Sequence, residues 1–111
     1  MATPFKEHAD PKLAEVVRRL VERLQPDCIY LFGSQVRGDA EEGSDYDIMV
    51  VVAESDEPGH KRIREAHRAL GQVDLPVQII VVTWAEFEQD LPVPASLPAT
   101  VGREGKLLYA A

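Results

Sequence analysis

The chain has 111 residues, of which 45% are apolar, a formal net charge of −7 and a single cysteine. That length suits one domain with one modest core, read as residues 1–111, and no apolar run approaches the roughly 18 residues needed to span a bilayer. The lone Cys28 excludes an internal disulfide and a cysteine-based metal site, and the acidic balance disfavours a nucleic-acid polymer, whose phosphates require a basic patch.

Met1 to Pro11 is polar and lacks the apolar stretch of a secretory signal, so a cytoplasmic, non-membrane protein is the expectation. Asp10-Pro11 predicts a helix start, with Asp as N-cap and Pro at the first helical position. Leu13, Val16, Val17, Leu20, Val21 and Leu24 then recur at the spacing of one buried helical face, and Gln25-Pro26-Asp27 ends it. Cys28 to Phe32 reads as a buried strand, followed by a turn or short helix over 34–38 and a polar loop over 39–44. Asp47 to Ala53 is a second apolar strand. His60 to Leu70 reads as a charged helix with Ile63, Ala66, His67 and Leu70 inward and Gly71 beyond its end. Its basic cluster, Lys61-Arg62-Ile63-Arg64 with Arg68, reads as a solvated face rather than a phosphate site. Pro76 to Val82 is the third strand, and Thr83-Trp84-Ala85-Glu86 spells a capping box. The segment from Leu91 to Pro98 holds three prolines and reads as a loop, with a partner-docking edge as the alternative. Ala99 to Arg103 is expected to be helical and Lys106 to Tyr109 to add an edge strand. Helices alternating with apolar strands indicate an α/β domain with a covered sheet.

Two short motifs carry chemistry. Gly33-Ser34 ends the first strand where the backbone must turn sharply. A helix opening at Ser34 would offer N–H groups and a hydroxyl to an anion, with Arg37 one turn on. Asp45 and Asp47 open the second strand. In extended chain they point to one face with Cα atoms about 6.5–7 Å apart, a spacing that lets two carboxylates share a hard cation such as Mg²⁺.

Gly-Ser, ten further residues, then Asp-x-Asp, with strands on either side, resembles the DNA polymerase beta-like nucleotidyltransferase superfamily. Within it the chain most closely resembles the minimal nucleotidyltransferases, the MNT proteins encoded beside HEPN-domain toxins. The likeness extends over the leading helix, the third strand with Thr83-x-x-Glu86, and the closing Arg103-Glu104-Gly105-Lys106-Leu107-Leu108-Tyr109. It implies a small mixed sheet with flanking helices, Gly33 and Ser34 on the triphosphate, and Asp45 and Asp47 on Mg²⁺. It further implies ATP as substrate, transfer of AMP to a tyrosine of a HEPN-domain toxin, and a hetero-oligomer with that toxin. The family pattern carries a third carboxylate on the next strand, and here that position falls on Gln78. Glutamine accepts no proton from an attacking hydroxyl at neutral pH, a role typically worth about 10²–10⁴-fold. Asp74 lies four residues away, about 13 Å along an extended chain, with Pro76 between.

Two alternatives remain beside protein adenylylation. One is a non-catalytic module that neutralises the toxin by covering it, favoured by Gln78. The other is a small-molecule nucleotidyltransferase of the aminoglycoside-modifying kind, disfavoured because those relatives carry an added domain. His8, His60 and His67 show no metal-ligand spacing, Cys28 reads as an inert buried thiol, Trp84 as a helix-start packing residue, and Tyr30 as packing with base stacking as the alternative.

Overall fold

The structure is a computed structural model that describes residues 11–38 and 44–111. The Asp10 cap, His8 and most of the 39–44 loop lie outside the described residues. The elements are α1 (Pro11–Leu24), β1 (Cys28–Phe32), α2 (Ser34–Arg37), β2 (Tyr46–Val52), α3 (Gly59–Leu70), β3 (Val77–Thr83), α4 (Trp84–Asp90), α5 (Leu97–Glu104) and β4 (Lys106–Ala110). Strands two and three each sit one residue from their expected bounds, β2 earlier and β3 later. The sheet runs β3-β2-β1-β4, with β1 antiparallel to β2 and β4 and with β2 parallel to β3. α3 makes the crossover that a parallel β2–β3 pair requires. No helix among the described residues is long and apolar enough to cross a membrane.

The period-two alternation of the strands divides the core. Ile29, Leu31, Ile48, Val50, Ile79 and Val81 face one side and pack with α1 and α3. Cys28, Phe32, Met49 and Val51 face the other, against Phe87 of α4 and Val101 of α5. Both faces are covered, which accounts for the unbroken apolar runs of the inner strands. Tyr30 packs as expected, stacked on Phe87 with ring centroids 6.4 Å apart, and Trp84 meets Phe87 edge-on at 5.6 Å. The Trp84 indole N–H donates to Asp27 Oδ2 at 2.6 Å, so its polar edge is satisfied. Burial pushes the Cys28 thiol up to about 11, in keeping with an inert group.

Two expectations for α3 are corrected. His67 is exposed; Ala66 and Leu70 are buried and Ile63 is half-buried, so the inward stripe is narrower than the periodicity suggested. Arg62 does not belong to a solvated face, its side chain being only 10% exposed. Its guanidinium donates to Val81 O at 2.8 Å and to both oxygens of Glu86 at 2.8 and 3.0 Å. It thereby covers part of the outer edge of β3, where a backbone carbonyl would otherwise be open to another strand.

The capping box is present. Thr83 Oγ1 accepts from Glu86 N at 3.2 Å, and Thr83 N donates to Glu86 Oε1 at 2.9 Å. One carboxylate therefore serves both the start of α4 and the Arg62 clamp. Together these bonds depress the Glu86 carboxyl from 4.5 to about 2, the Arg62 bond contributing most. A depressed carboxyl stabilises the fold above its unfolded value and loses that contribution as pH falls through its folded value. Glu86→Gln keeps a capping side chain but loses the charge paired with Arg62, and is therefore expected to lower stability at neutral pH by about 0.5–1 kcal/mol, the scale of a screened surface ion pair. The gap from wild type should close as pH falls from 4.5 toward 2. Urea melts of the two proteins along the acid limb provide the check.

Candidate functional site

β1 delivers Gly33 to the end of the sheet where β2 begins, because the two strands are antiparallel. The register sets Phe32 opposite Asp47. Gly33 then turns with φ 81° and ψ −155°, a backbone region open essentially to glycine alone. A second constraint falls on the same residue. A Cβ added to Gly33 would overlap Asp47 Oδ2 and stand 3.1 Å from Asp47 Cγ. The carboxylate thus occupies the space that a side chain would fill, and the Gly-Ser turn lies directly against Asp47.

α2 is a single turn, Ser34–Arg37, with Val36 N and Arg37 N both bonding Gly33 O at 3.1 Å and Gly38 closing it in the left-handed region. A helix does open at Ser34, but its four residues sum to little dipole. What the turn offers is the Ser34 and Gln35 N–H groups, which precede the first intrahelical bond, and the half-buried Ser34 hydroxyl. Gln35 is a residue that the motif reading missed. Its side-chain amide donates to Ser44 O at 3.1 Å and ties the turn to the chain just before Asp45. Tyr46 N adds a bond to Pro76 O at 2.9 Å, fixing the first residue of β2 against the approach to β3.

Asp47 lies on the central strand β2, flanked in register by Phe32 and Gln78. It points to the α4/α5 face, the side of Met49 and Val51. Asp45 stands just outside the ladder, one residue before the strand. Burial raises the Asp47 carboxyl first, the Asp45 charge raises it further, and Arg37 opposes both. Those influences place Asp45, Asp47 and Arg37 in one electrostatic group. Arg37 also reaches Glu104 of α5 at 3.4 Å, a partner 67 residues on that no local pattern reveals. Gln78 is exposed and stands in register beside Asp47. Asp74 does not take that place. Its carboxylate pairs with Lys12 Nζ of α1 at 3.2 Å, the helix that covers the opposite face.

Among the described residues no group of three His, Cys, Asp or Glu converges on a metal position. The Asp47 carboxylate, whose ionisation is opposed by burial and by the Asp45 charge, would fit a divalent cation such as Mg²⁺ together with Asp45. That ion is commonly held by one or two carboxylates, with water and substrate phosphates completing its shell.

Residues 12–101 match the nucleotidyltransferase domain family. The chain belongs to that family. It is 31% identical over 80 residues to the Haemophilus influenzae protein named "Probable protein adenylyltransferase MntA", a match covering 68% of this chain and 65% of that one. The nucleotidyltransferase chain thus spans a little under two thirds of the length of this curated relative. A solved structure described as a toxin-antitoxin with AMP-PNP has a TM-score of 0.63 at 23% identity, covering 92% of this chain and 75% of that one. At that identity the likeness concerns the fold, a four-stranded mixed sheet with flanking helices.

Gly33→Ala is expected to destabilise the protein by more than the about 1–3 kcal/mol of backbone strain, because the overlap with Asp47 adds to it. In an Asp47→Ala background the cost should fall to the strain alone, a coupling that a double-mutant cycle of denaturation midpoints measures. The raised Asp47 carboxyl costs stability as pH rises through its folded value. Asp47→Asn should therefore melt higher than wild type at neutral pH without ligand, and the gap should vanish as pH falls below 3.8, the ordinary value.

Proposed function

We propose that this chain is a Mg²⁺-dependent nucleotidyltransferase that moves AMP from ATP to a hydroxyl, a tyrosine, of a HEPN-domain toxin and so acts as its antitoxin. The observation that carries the reading is the close approach of Gly33 to the Asp47 carboxylate, which supports assigning the turn to phosphate and the carboxylate to a metal ion. The family membership supports nucleotidyl transfer, and the MntA relative is described as a protein adenylyltransferase. The toxin-antitoxin structure of similar fold contains AMP-PNP.

In this reading Asp45 and Asp47 hold the metal, the Gly33 turn and the Ser34 hydroxyl hold the β- and γ-phosphates, and Arg37 offsets their charge. When bound, Mg²⁺ neutralises the triphosphate and the charge that develops as its bond breaks. The acceptor oxygen bonds to the α-phosphorus, the bond to the bridging oxygen breaks, and pyrophosphate leaves. Gln78 takes no proton, so the hydroxyl proton passes to solvent or to an acidic group of the partner. Phosphoryl transfer rests mainly on positioning and electrostatics, which the chain's own residues supply without a third acid. Gln78 also favours a second reading, in which the domain is a non-catalytic module that neutralises the toxin by covering it, with no ATP requirement.

Intact mass spectrometry of the HEPN-domain partner, incubated with this chain, Mg²⁺ and ATP, decides between them. An added AMP that disappears with Asp45→Asn/Asp47→Asn establishes transfer, whereas an unmodified partner held in a stable complex establishes occlusion. Under the transfer reading, Gln78→Asp is expected to raise the rate, by up to about 10²–10⁴-fold, the scale of general-base catalysis.

A further inference from the structure

A groove of about 480 Å³ lies over the outer edge of β3, between Gly59 and Ile63 of α3 and the side of the sheet that carries Asp47 and Gln78. Its floor is Met49, Ile80 and Val82, and Met49 and Ile80 lie two residues beyond Asp47 and Gln78. One strand step, about 6.5–7 Å, therefore separates the groove from the carboxylate site. On the far side its wall is Ser96, Leu97 and Pro98, where the proline-rich segment enters α5.

Charge at the rim is one-sided. Arg62 is engaged by Glu86 and Val81 O, whereas the Asp90 carboxylate makes no hydrogen bond or ion pair among the described residues. Asp90 also ends α4, where no basic residue stands in the last turn and a carboxylate meets the unfavourable end of the helix. A cation brought by a partner would relieve both.

The adjoining surface is apolar and exposed. Leu91, Val93 and Leu97 are 42%, 52% and 44% exposed and account for three of the four large exposed hydrophobic residues among those described. They are also held in place. The single Ser96 Oγ proton is shared between Asp90 O at 2.6 Å and Val93 O at 2.8 Å, Ala99 N donates to Ser96 Oγ at 3.2 Å, and Arg103 Nη1 donates to Pro94 O at 3.1 Å. A loop fixed in this way loses little conformational entropy when a partner lands on it.

We infer that this groove and the Leu91–Leu97 rim are the docking surface for the protein acceptor. The occupant is an apolar polypeptide segment with a Lys or Arg set against Asp90, and its hydroxyl reaches Asp47 one strand step away. The inference rests on the transfer reading for its acceptor and commits to where that protein sits.

The test titrates the HEPN-domain partner against wild type, Val93→Asp/Leu97→Asp and Asp90→Lys by calorimetry, without nucleotide. Both altered side-chain sets are solvent-facing, and thermal melts verify the fold. The expected result is at least a tenfold loss of partner affinity in each variant, with the Asp90→Lys loss shrinking at high salt. Wild-type affinity in the double variant overturns the inference, and so does the absence of any complex with the wild-type chain. A wild-type homodimer that dissociates with the same substitutions also overturns it, because the surface then serves a second copy. Failure of the transfer reading is seen separately, as wild-type chain that binds the partner but neither gains stability from MgATP nor modifies it.

Discussion

Everything at the candidate site depends on the contact between a missing side chain and a carboxylate. Gly33 turns in a region that only glycine occupies, and the volume where its Cβ would stand holds Asp47 Oδ2. The two demands have different origins, one torsional and one steric, and they select the same residue. The contact is also unfavourable for the carboxylate, whose ionisation is opposed by burial and by Asp45. Holding the Asp47 carboxylate there costs the ligand-free protein stability at neutral pH.

The sheet makes that contact possible. Antiparallel pairing of β1 with β2 brings the end of one strand to the start of the next, and the register sets Phe32 opposite Asp47. Parallel pairing of β2 with β3 then sets Gln78 beside Asp47. Because all three share one face, the site opens on the side of α4 and α5, and the hydrophobic layer beneath those helices continues from it. A shift of one residue in either register would move Asp47 away from Gly33 or turn Gln78 away from it.

Arginine placement follows the same economy of contacts. Arg62 braces the outer edge of β3 and the start of α4, and Arg37 links α2 to α5 through Glu104 while facing Asp47. Both join elements distant in sequence, and Arg37 adds its charge to that of the carboxylates. The first holds the groove, and the second sets the charge at its head.

The motifs and most of the elements were legible in the sequence. Gly33-Ser34, Asp45-x-Asp47 and the Thr83–Glu86 capping box are local patterns whose physics acts within a few residues, so they needed no tertiary context. The apolar runs of β1, β2 and β3 identified covered strands for the same reason, and the position of Gln78 followed from counting along β3. Periodicity was less exact for α3, where His67 lies outside and Arg62 is nearly covered, because helical spacing does not say which neighbour a flank residue meets. The overlap of Gly33 with Asp47, the Gln35–Ser44 tie, the Arg37–Glu104 pair and the groove beside β3 were decided by the tertiary structure alone. Each depends on strand register or on residues brought together across many positions, and spacing along the chain carries no record of such distances.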